Sequence, residues 1–518
     1  LKLIKQFNVS ACLLITFQKS SMSVQKNIVV IGAGFSGLSA AAYLSKQGHK
    51  VTVLEKNSSP GGRARQFSDS GFTYDMGPSW YWMPDIFESF FADFGKSVSD
   101  YYELERLDPS YKIYFGQGNE IKLPAGVENI YKLYEELEPG SSRNLKAFLD
   151  EAGYKYRIGI GEFVHKPSHS VKEYLSWKIL KAGLKLNMFS SFSSYINKYF
   201  KSPLIRRMLE FPVLFLGGTA KTTPALYSLM NYSDMVQGTW YPKGGMYKVV
   251  EAMVKLAEEL GVAFVYDAEV TSINTFNGKA VSVIASGKNY DTDYLIASGD
   301  YHHIEQKLLS PELRKYSPAY WDKRVLSPSS LIYYLGFNKR IPELQHHTLL
   351  FDEDFEGHAD SIYAKPSWPE NPSIYISCTS RTDDTVAPAG HENVMVLIPV
   401  APGLEDTDEV REKYLKHVIM RLERYTGQHL ANNIVYSRSY AHKDFELDYH
   451  AYKGNAYGLA NTLLQTAFLK PKMRNSKISN LLFAGQLTVP GPGVPPAIIS
   501  GEMAAKEISK LVTKHASL

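Results

Sequence analysis

The stretch Ile28-Val-Val-Ile-Gly32-Ala33-Gly34-Phe35-Ser36-Gly37 constrains the fold of this chain more than any other. Ile28 to Ile31 is a short apolar run that reads as a buried strand of a parallel sheet. Gly32 permits a tight turn, Gly34 lets backbone approach a pyrophosphate, and Gly37 lets the following helix pack on the strand. Leu38 to Gln47 continues as an Ala-rich helix whose N-terminus would face the phosphates. Val51-Thr-Val-Leu-Glu55 reads as the second strand. Glu55 at its end falls where ribose hydroxyls need a carboxylate acceptor. Strand, turn, helix and acid in register make a dinucleotide-binding βαβ unit.

Gly61-Gly62-Arg63 bears on which dinucleotide it is. Paired glycines just past the second strand expose backbone N–H groups. Arg63 adds a fixed cation suited to a second approach to a pyrophosphate. Flavin folds use this feature and nicotinamide folds do not need it. Gly159-Ile-Gly161 lacks a third glycine, a preceding strand and a following acid, so it reads as a loop.

At 518 residues the chain calls for two or three domains. Its 35 Tyr and 25 Phe are compatible with large apolar binding surfaces. A net charge of +4 is small for this length and implies no nucleic-acid partner. Cys12 and Cys378 make neither a disulfide framework nor a metal site, which fits a reducing, cytoplasmic setting. The pairs His302-His303 and His346-His347 lack acidic or Cys partners at ligand spacing and read as structural or solvated. No apolar run reaches the length of a membrane-spanning helix.

Residues 1–21 carry no part of any motif and read as an unstructured N-terminal extension, the fold being expected from Met22. Residues 22–100 hold the βαβ unit and its continuation. Residues 101–235 read as a mostly helical, aromatic and locally basic insertion. Past Tyr241-Pro-Lys-Gly-Gly245, a helix over Met246–Leu260 and strands at Val262–Val265, Val270–Ile273, Ala280–Ala285 and Tyr294–Ala297 suggest a return to the nucleotide domain. Residues 305–475 alternate strand-like runs with helices. Leu481-Leu-Phe-Ala-Gly485 reads as a last buried strand, followed by a Gly/Pro-rich loop and a final helix over Ala497–Leu511. The expected fold is α/β: a discontinuous Rossmann-like FAD-binding domain (22–100, 236–304 and 476–518), an inserted α+β substrate domain (305–475) and a helical membrane-associating region (101–235).

Together the motifs resemble the phytoene desaturases of bacterial and fungal type. The fingerprint, Glu55, Gly61-Gly62-Arg63 and Tyr74-Asp-Met-Gly-Pro78 are similar to the N-terminal flavin site of that family. Tyr241-Pro-Lys-Gly-Gly245 resembles a motif of the wider flavin amine-oxidase superfamily. Lys453-Gly-Asn-Ala-Tyr-Gly458 and Phe483-Ala-Gly485-Gln486 to Pro490-Gly-Pro-Gly-Val-Pro495 resemble carotenoid desaturases more specifically. The resemblance spans about residues 24–510. It implies FAD as cofactor, with no nicotinamide, and a long polyene hydrocarbon as substrate, phytoene being carried stepwise toward lycopene. It places Gly32, Ala33, Gly34, Phe35, Ser36, Gly37, Glu55, Lys56, Gly61, Gly62 and Arg63 at the cofactor. It also implies that the backbone of Val270 lies near the adenine, Gly485 and Gln486 at the ribityl–pyrophosphate side, and Val494 beside the isoalloxazine.

Oxidised flavin takes hydride from an allylic carbon, and the polyene cation that remains loses a neighbouring proton readily, so a strong general base is not required. No triad or paired-carboxylate motif is evident. Asp234, Asp444, Glu446 and Asp448 are acids near the expected domain junctions, better read as solvated or salt-bridged than as catalytic. Between Lys172 and Arg207, eight basic residues interleave with Trp177, Phe189, Phe192, Tyr195, Tyr199 and Phe200. That pattern suits peripheral attachment to a membrane lipid surface. Three other readings stay open: a desaturase or saturase of another long polyene, such as a hydroxycarotenoid 3,4-desaturase; a flavin amine oxidase; and a prenyl-binding carrier that has lost the flavin. Intact Glu55, Gly62, Arg63 and Gly485 argue against the last.

Overall fold

Two sheets organise the chain in a computed structural model that describes residues 25–170, 173, 190–216, 218–462 and 465–516. The first sheet is parallel throughout, in the order Leu481–Phe483, Tyr294–Ala297, Asn27–Ile31, Lys50–Leu54, Ala263–Val265. Its strands come from three separate stretches of sequence. Ile28, Val29, Val30, Val51, Val53, Leu54, Leu295 and Leu482 are all nearly inaccessible, as expected of a parallel sheet covered on both faces. The helices Phe35–Lys46, Tyr247–Glu259 and Val494–Ala516 pack beside it. A three-stranded antiparallel sheet, Val270–Phe276, Lys279–Ala285 and Lys288–Asp291, flanks it.

The second sheet has seven strands, in the order Ile434–Tyr440, Ser329–Phe337, Glu392–Val400, Ile374–Ser377, His347–Leu350, Tyr111–Tyr114, Glu120–Leu123. Pairing is antiparallel except between Tyr111–Tyr114 and His347–Leu350. The two strands from the 101–235 segment thus complete a sheet built mainly from residues 305–475. Helices Val127–Leu137, Ser141–Ile158 and Pro203–Glu210 follow them.

Two expectations need correction. Gly159-Ile-Gly161 is not a loop. Helix Ser141–Ile158 runs into a π-helical turn over Gly159–Val164, with Gly159 itself helical at φ −58° and ψ −54°. Of the aromatic residues read as interfacial, Phe192, Tyr195 and Phe200 are buried in the core. Their spacing fits the inner face of the turn Phe192–Ile196 and its continuation. Lys198 and Lys201 are exposed, whereas Arg206 and Arg207 donate to the carbonyls of Phe200 and Phe351. Lys172, Trp177, Lys178, Lys181, Lys185 and Phe189 lie outside the described residues, as do residues 1–21. No helix among the described residues is long and apolar enough to cross a membrane.

Candidate functional site

The glycine fingerprint forms the turn its sequence predicts. Gly32 sits at φ +98°, and its N–H donates to the Leu54 carbonyl at 2.8 Å, tying the first two strands together. A Cβ on Gly37 would lie 2.0 Å from the Gly32 carbonyl oxygen, so only glycine lets the helix approach this closely. Gly34 is the N-cap of helix Phe35–Lys46, and no side chain caps that first turn. A Cβ on Gly34 would meet nothing within 4 Å. An uncapped helix start beside open space at Gly34 is what an anionic phosphate needs.

The Gly61–Arg63 turn closes on the fingerprint. The Gly61 N–H donates to the Ala33 carbonyl at 2.8 Å. A Cβ on Gly62 would lie 3.5 Å from Gly34 Cα. Arg63 Nη2 donates to the Asn455 carbonyl at 3.2 Å, its guanidinium lies 5.2 Å from the Tyr449 ring, and its Nε has no partner among the described residues. Burial pulls the Arg63 pKa down, while Asp300 and Tyr449 act to hold it up. A buried guanidinium with a spare donor, beside an uncapped helix N-terminus, fits a pyrophosphate.

Glu55 is 5 % exposed. One carboxylate oxygen accepts the Ala33 N–H at 2.7 Å, and the other accepts both the N–H and the Nδ2 of Asn57, at 2.9 and 3.0 Å. An ionised carboxylate offers about four acceptor positions, so capacity for a hydroxyl remains. Val270 begins its strand two residues after Ala268, whose N–H donates to the Glu55 carbonyl at 2.8 Å. Lys56 points elsewhere, its ammonium donating to the Leu447 carbonyl.

From the far end of the chain, Gly485 (φ +110°) comes so near the fingerprint that a Cβ on it would lie 3.2 Å from Ser36 Oγ. Its N–H is held by Ser500 Oγ at 2.9 Å. Gln486 Nε2 lies 3.4 Å from Asn455 Oδ1. Asn455 therefore binds both Arg63 and Gln486, a role legible only in that it lies within the Lys453–Gly458 motif. Beyond Gly485 the loop passes Lys470, a buried ammonium with no partner among the described residues, 3.0 Å from where a Gly491 Cβ would be. Burial pulls the Lys470 pKa down to about 7. Val494 starts the last helix, partly buried against the main core.

Beside this groove lies an apolar cleft of about 610 Å³, part of it open to solvent. Phe211, Leu349, Phe355, Ile362, Leu397 and Tyr457 are among its walls. Tyr457 belongs to the same Lys453–Gly458 segment as Asn455, so the cleft adjoins the groove. His358, also in the wall, donates from Nε2 to the Pro399 carbonyl at 2.7 Å and accepts the Ser373 N–H on Nδ1 at 3.0 Å. Burial keeps it neutral, with a pKa of about 4. None of the four candidate acids lines the cleft. Asp234 is fully buried and accepts from Tyr111 Oη and Thr239 Oγ1; burial pushes it up to about 7. Asp444 and Asp448 pair with Arg411 and Arg65 at 2.7 and 2.5 Å, and Glu446 is exposed. The histidine pairs are stacked: His302 on Tyr452, His303 on His450, and His347 on Trp80.

A family model for flavin containing amine oxidoreductases matches residues 35–509. A carotenoid 3,4-desaturase of Haloarcula japonica is 40 % identical over 484 residues, covering 93 % of this chain and 98 % of that one. The chain belongs to the carotenoid desaturases of the flavin amine oxidoreductase family. A zeta-carotene-forming phytoene desaturase of Myxococcus xanthus is 31 % identical over 497 residues, covering 94 % and 95 %. An oxidoreductase from Methanosarcina mazei shares the fold at 18 % identity, with a TM-score of 0.58 over 93 % of this chain and all of that one. This carotenoid desaturase is accordingly an FAD-dependent oxidoreductase. The uncapped helix start, Arg63 and Glu55 fit FAD, which supplies a hydride acceptor when bound. The chain's own part would be to hold that cofactor through these groups, beside an apolar cleft.

Proposed function

We propose that this enzyme introduces carbon–carbon double bonds into a long acyclic polyene, carrying phytoene stepwise toward lycopene. The observation that carries the reading is the apolar cleft whose wall residue Tyr457 sits two positions from Asn455, the residue that binds Arg63 and Gln486. A cleft with this lining suits a hydrocarbon, and the described residues of its wall offer no anionic anchor for an amine. A hydrocarbon gains about 0.8 kcal/mol per buried CH₂, so the substrate resides in the bilayer and is drawn from it. Peripheral attachment to a lipid surface follows from that solubility, and exposed Lys198 and Lys201 are available for anionic head groups. Expression in a host that accumulates phytoene tests the reading, with pigments separated by chromatography. Coloured polyenes of longer conjugation are expected, and Glu55→Ala should diminish them.

A second reading, 3,4-desaturation of a hydroxylated carotenoid, is favoured by two observations. The relative at 40 % identity is named a carotenoid 3,4-desaturase. The cleft wall also carries two inaccessible hydroxyls, Ser373 Oγ and Tyr363 Oη, with no partner among the described residues. A hydrocarbon leaves both unpaired, whereas an oxygen on the substrate would satisfy one. Phytoene unchanged in the same host, with a hydroxycarotenoid desaturated, would replace the first reading with this one.

A further inference from the structure

Desaturation releases a proton inside an apolar cleft, and the structure contains a hydrogen-bonded way out. Tyr375 lines the cleft and is 4 % exposed. Its hydroxyl donates to Ser79 Oγ at 2.7 Å. The same oxygen lies 2.8 Å from His347 Nδ1. Tyr375 has one proton, and Ser79 takes it. His347 must then carry its own proton on Nδ1 and donate to the tyrosine oxygen. One lone pair remains on Tyr375 Oη, with Ser377 also within its reach.

Ser79 also lines a second, smaller cavity of about 320 Å³, whose walls include Tyr74, Asp75, Ser377 and Asn393. Tyr74 Oη is buried there with no partner among the described residues. A cavity with polar side chains and an orphaned hydroxyl in its wall is where ordered water belongs. Asp75 faces it with a carboxyl that burial raises to about 6, against the hydrogen bonds from Met246, Tyr247 and Gln66.

We propose that Tyr375 and Ser79 form a proton relay that carries the proton released by desaturation from the apolar cleft to water in the second cavity. The inference rests on the reading that a polyene is desaturated in this cleft. The step balances simply. One substrate C–H bond gives its hydrogen and electron pair as hydride to the bound flavin. The neighbouring C–H bond gives its proton to Tyr375 Oη, and its electron pair becomes the new double bond. Tyr375 passes its own proton to Ser79, and Ser79 passes its own to cavity water. Burial pushes the Tyr375 hydroxyl well above its ordinary range and His347 well below its own, so neither need be charged at rest. A polyene cation is acidic enough to need only such a weak acceptor.

The test uses flavin-loaded protein and phytoene or a hydroxylated acyclic carotenoid in liposomes, without oxygen. Flavin bleaching is followed in H₂O and in D₂O for wild type, Tyr375→Phe and Ser79→Ala. Tyr375→Phe should slow bleaching about 10²-fold with unchanged flavin content and KM, and should remove the solvent isotope effect. Ser79→Ala leaves Tyr375 in place and should slow bleaching about 10-fold. Independently of turnover, imidazole ¹⁵N NMR should find His347 protonated on Nδ1. Wild-type bleaching rates and isotope effect in both variants, or a change in KM alone, would overturn the relay, as would His347 protonated on Nε2. Failure of wild type to bleach with either polyene would instead overturn the substrate reading.

Discussion

The Asp75 carboxylate accepts the N–H of Met246 at 2.7 Å, joining two motifs that lie 171 residues apart. It also accepts the Tyr247 N–H at 3.1 Å and Gln66 Nε2 at 3.2 Å. It thereby caps helix Tyr247–Glu259, which no local side chain caps. Gly245, at φ +101°, has no room for a Cβ, which would lie 2.7 Å from Asp75 Oδ2. Asp75→Ala should cost about 1–3 kcal/mol, the usual penalty for a lost cap with buried donors left unpaired. Urea denaturation of the flavin-free protein measures it.

Gly34 and Gly37 separate cofactor binding from folding. A side chain at Gly34 meets open space, so Gly34→Val should fold with near wild-type stability but exclude the pyrophosphate. Gly37→Ala collides with the Gly32 carbonyl and should lose about 1–3 kcal/mol of stability. Flavin content after gel filtration, together with denaturation midpoints, distinguishes the two. Full flavin occupancy in Gly34→Val would remove the pyrophosphate from this turn.

The last helix is held by a cluster of charges with a defined pH signature. Burial alone raises the Glu507 carboxyl, but His169, Lys510 and Arg474, each at 2.7 Å, outweigh it and bring the pKa to about 2. A depressed carboxylate pKa stabilises the fold fully above the unfolded value of 4.5. That contribution, roughly 3 kcal/mol, is lost as pH falls from about 4.5 through about 2. Glu507→Gln should lower stability at pH 7 and flatten the pH dependence across that window. Chemical denaturation at a series of pH values reads both.

Much of the candidate groove was legible because its residues lie close together in sequence. Gly32 to Gly37, Glu55 and Gly61 to Arg63 lie within one βαβ unit and its following turn. The cleft was not legible, since its walls run from Phe211 to Tyr457 and share only apolarity. Asn455 binds Arg63 from 392 residues away, a contact that no spacing rule reaches. Phe192, Tyr195 and Phe200 misled because aromatic rings among lysines look alike whether they face lipid or core. The strands Tyr111–Tyr114 and Glu120–Leu123 were missed because four residues carry too little alternation to stand out.

Ser373 and Tyr363 decide between the two substrate readings. If an oxygenated polyene is the substrate, Ser373→Ala and Tyr363→Phe should lower kcat/KM for it by about 10-fold or more. Activity on a hydrocarbon polyene should hold or rise, because a buried unpaired hydroxyl is removed. Competition between phytoene and a hydroxylated acyclic carotenoid in mixed liposomes measures the ratio. An unchanged ratio in both variants would leave the hydrocarbon reading in place.

Anaerobic titration of the purified, flavin-loaded protein with liposomal phytoene tests the central claim most directly. Bleaching of the oxidised flavin should accompany the appearance of a longer chromophore, one new double bond per flavin reduced, with no NAD(P)H present. Flavin that stays oxidised with phytoene and with a hydroxylated acyclic carotenoid, yet bleaches with a simple amine, would contradict it.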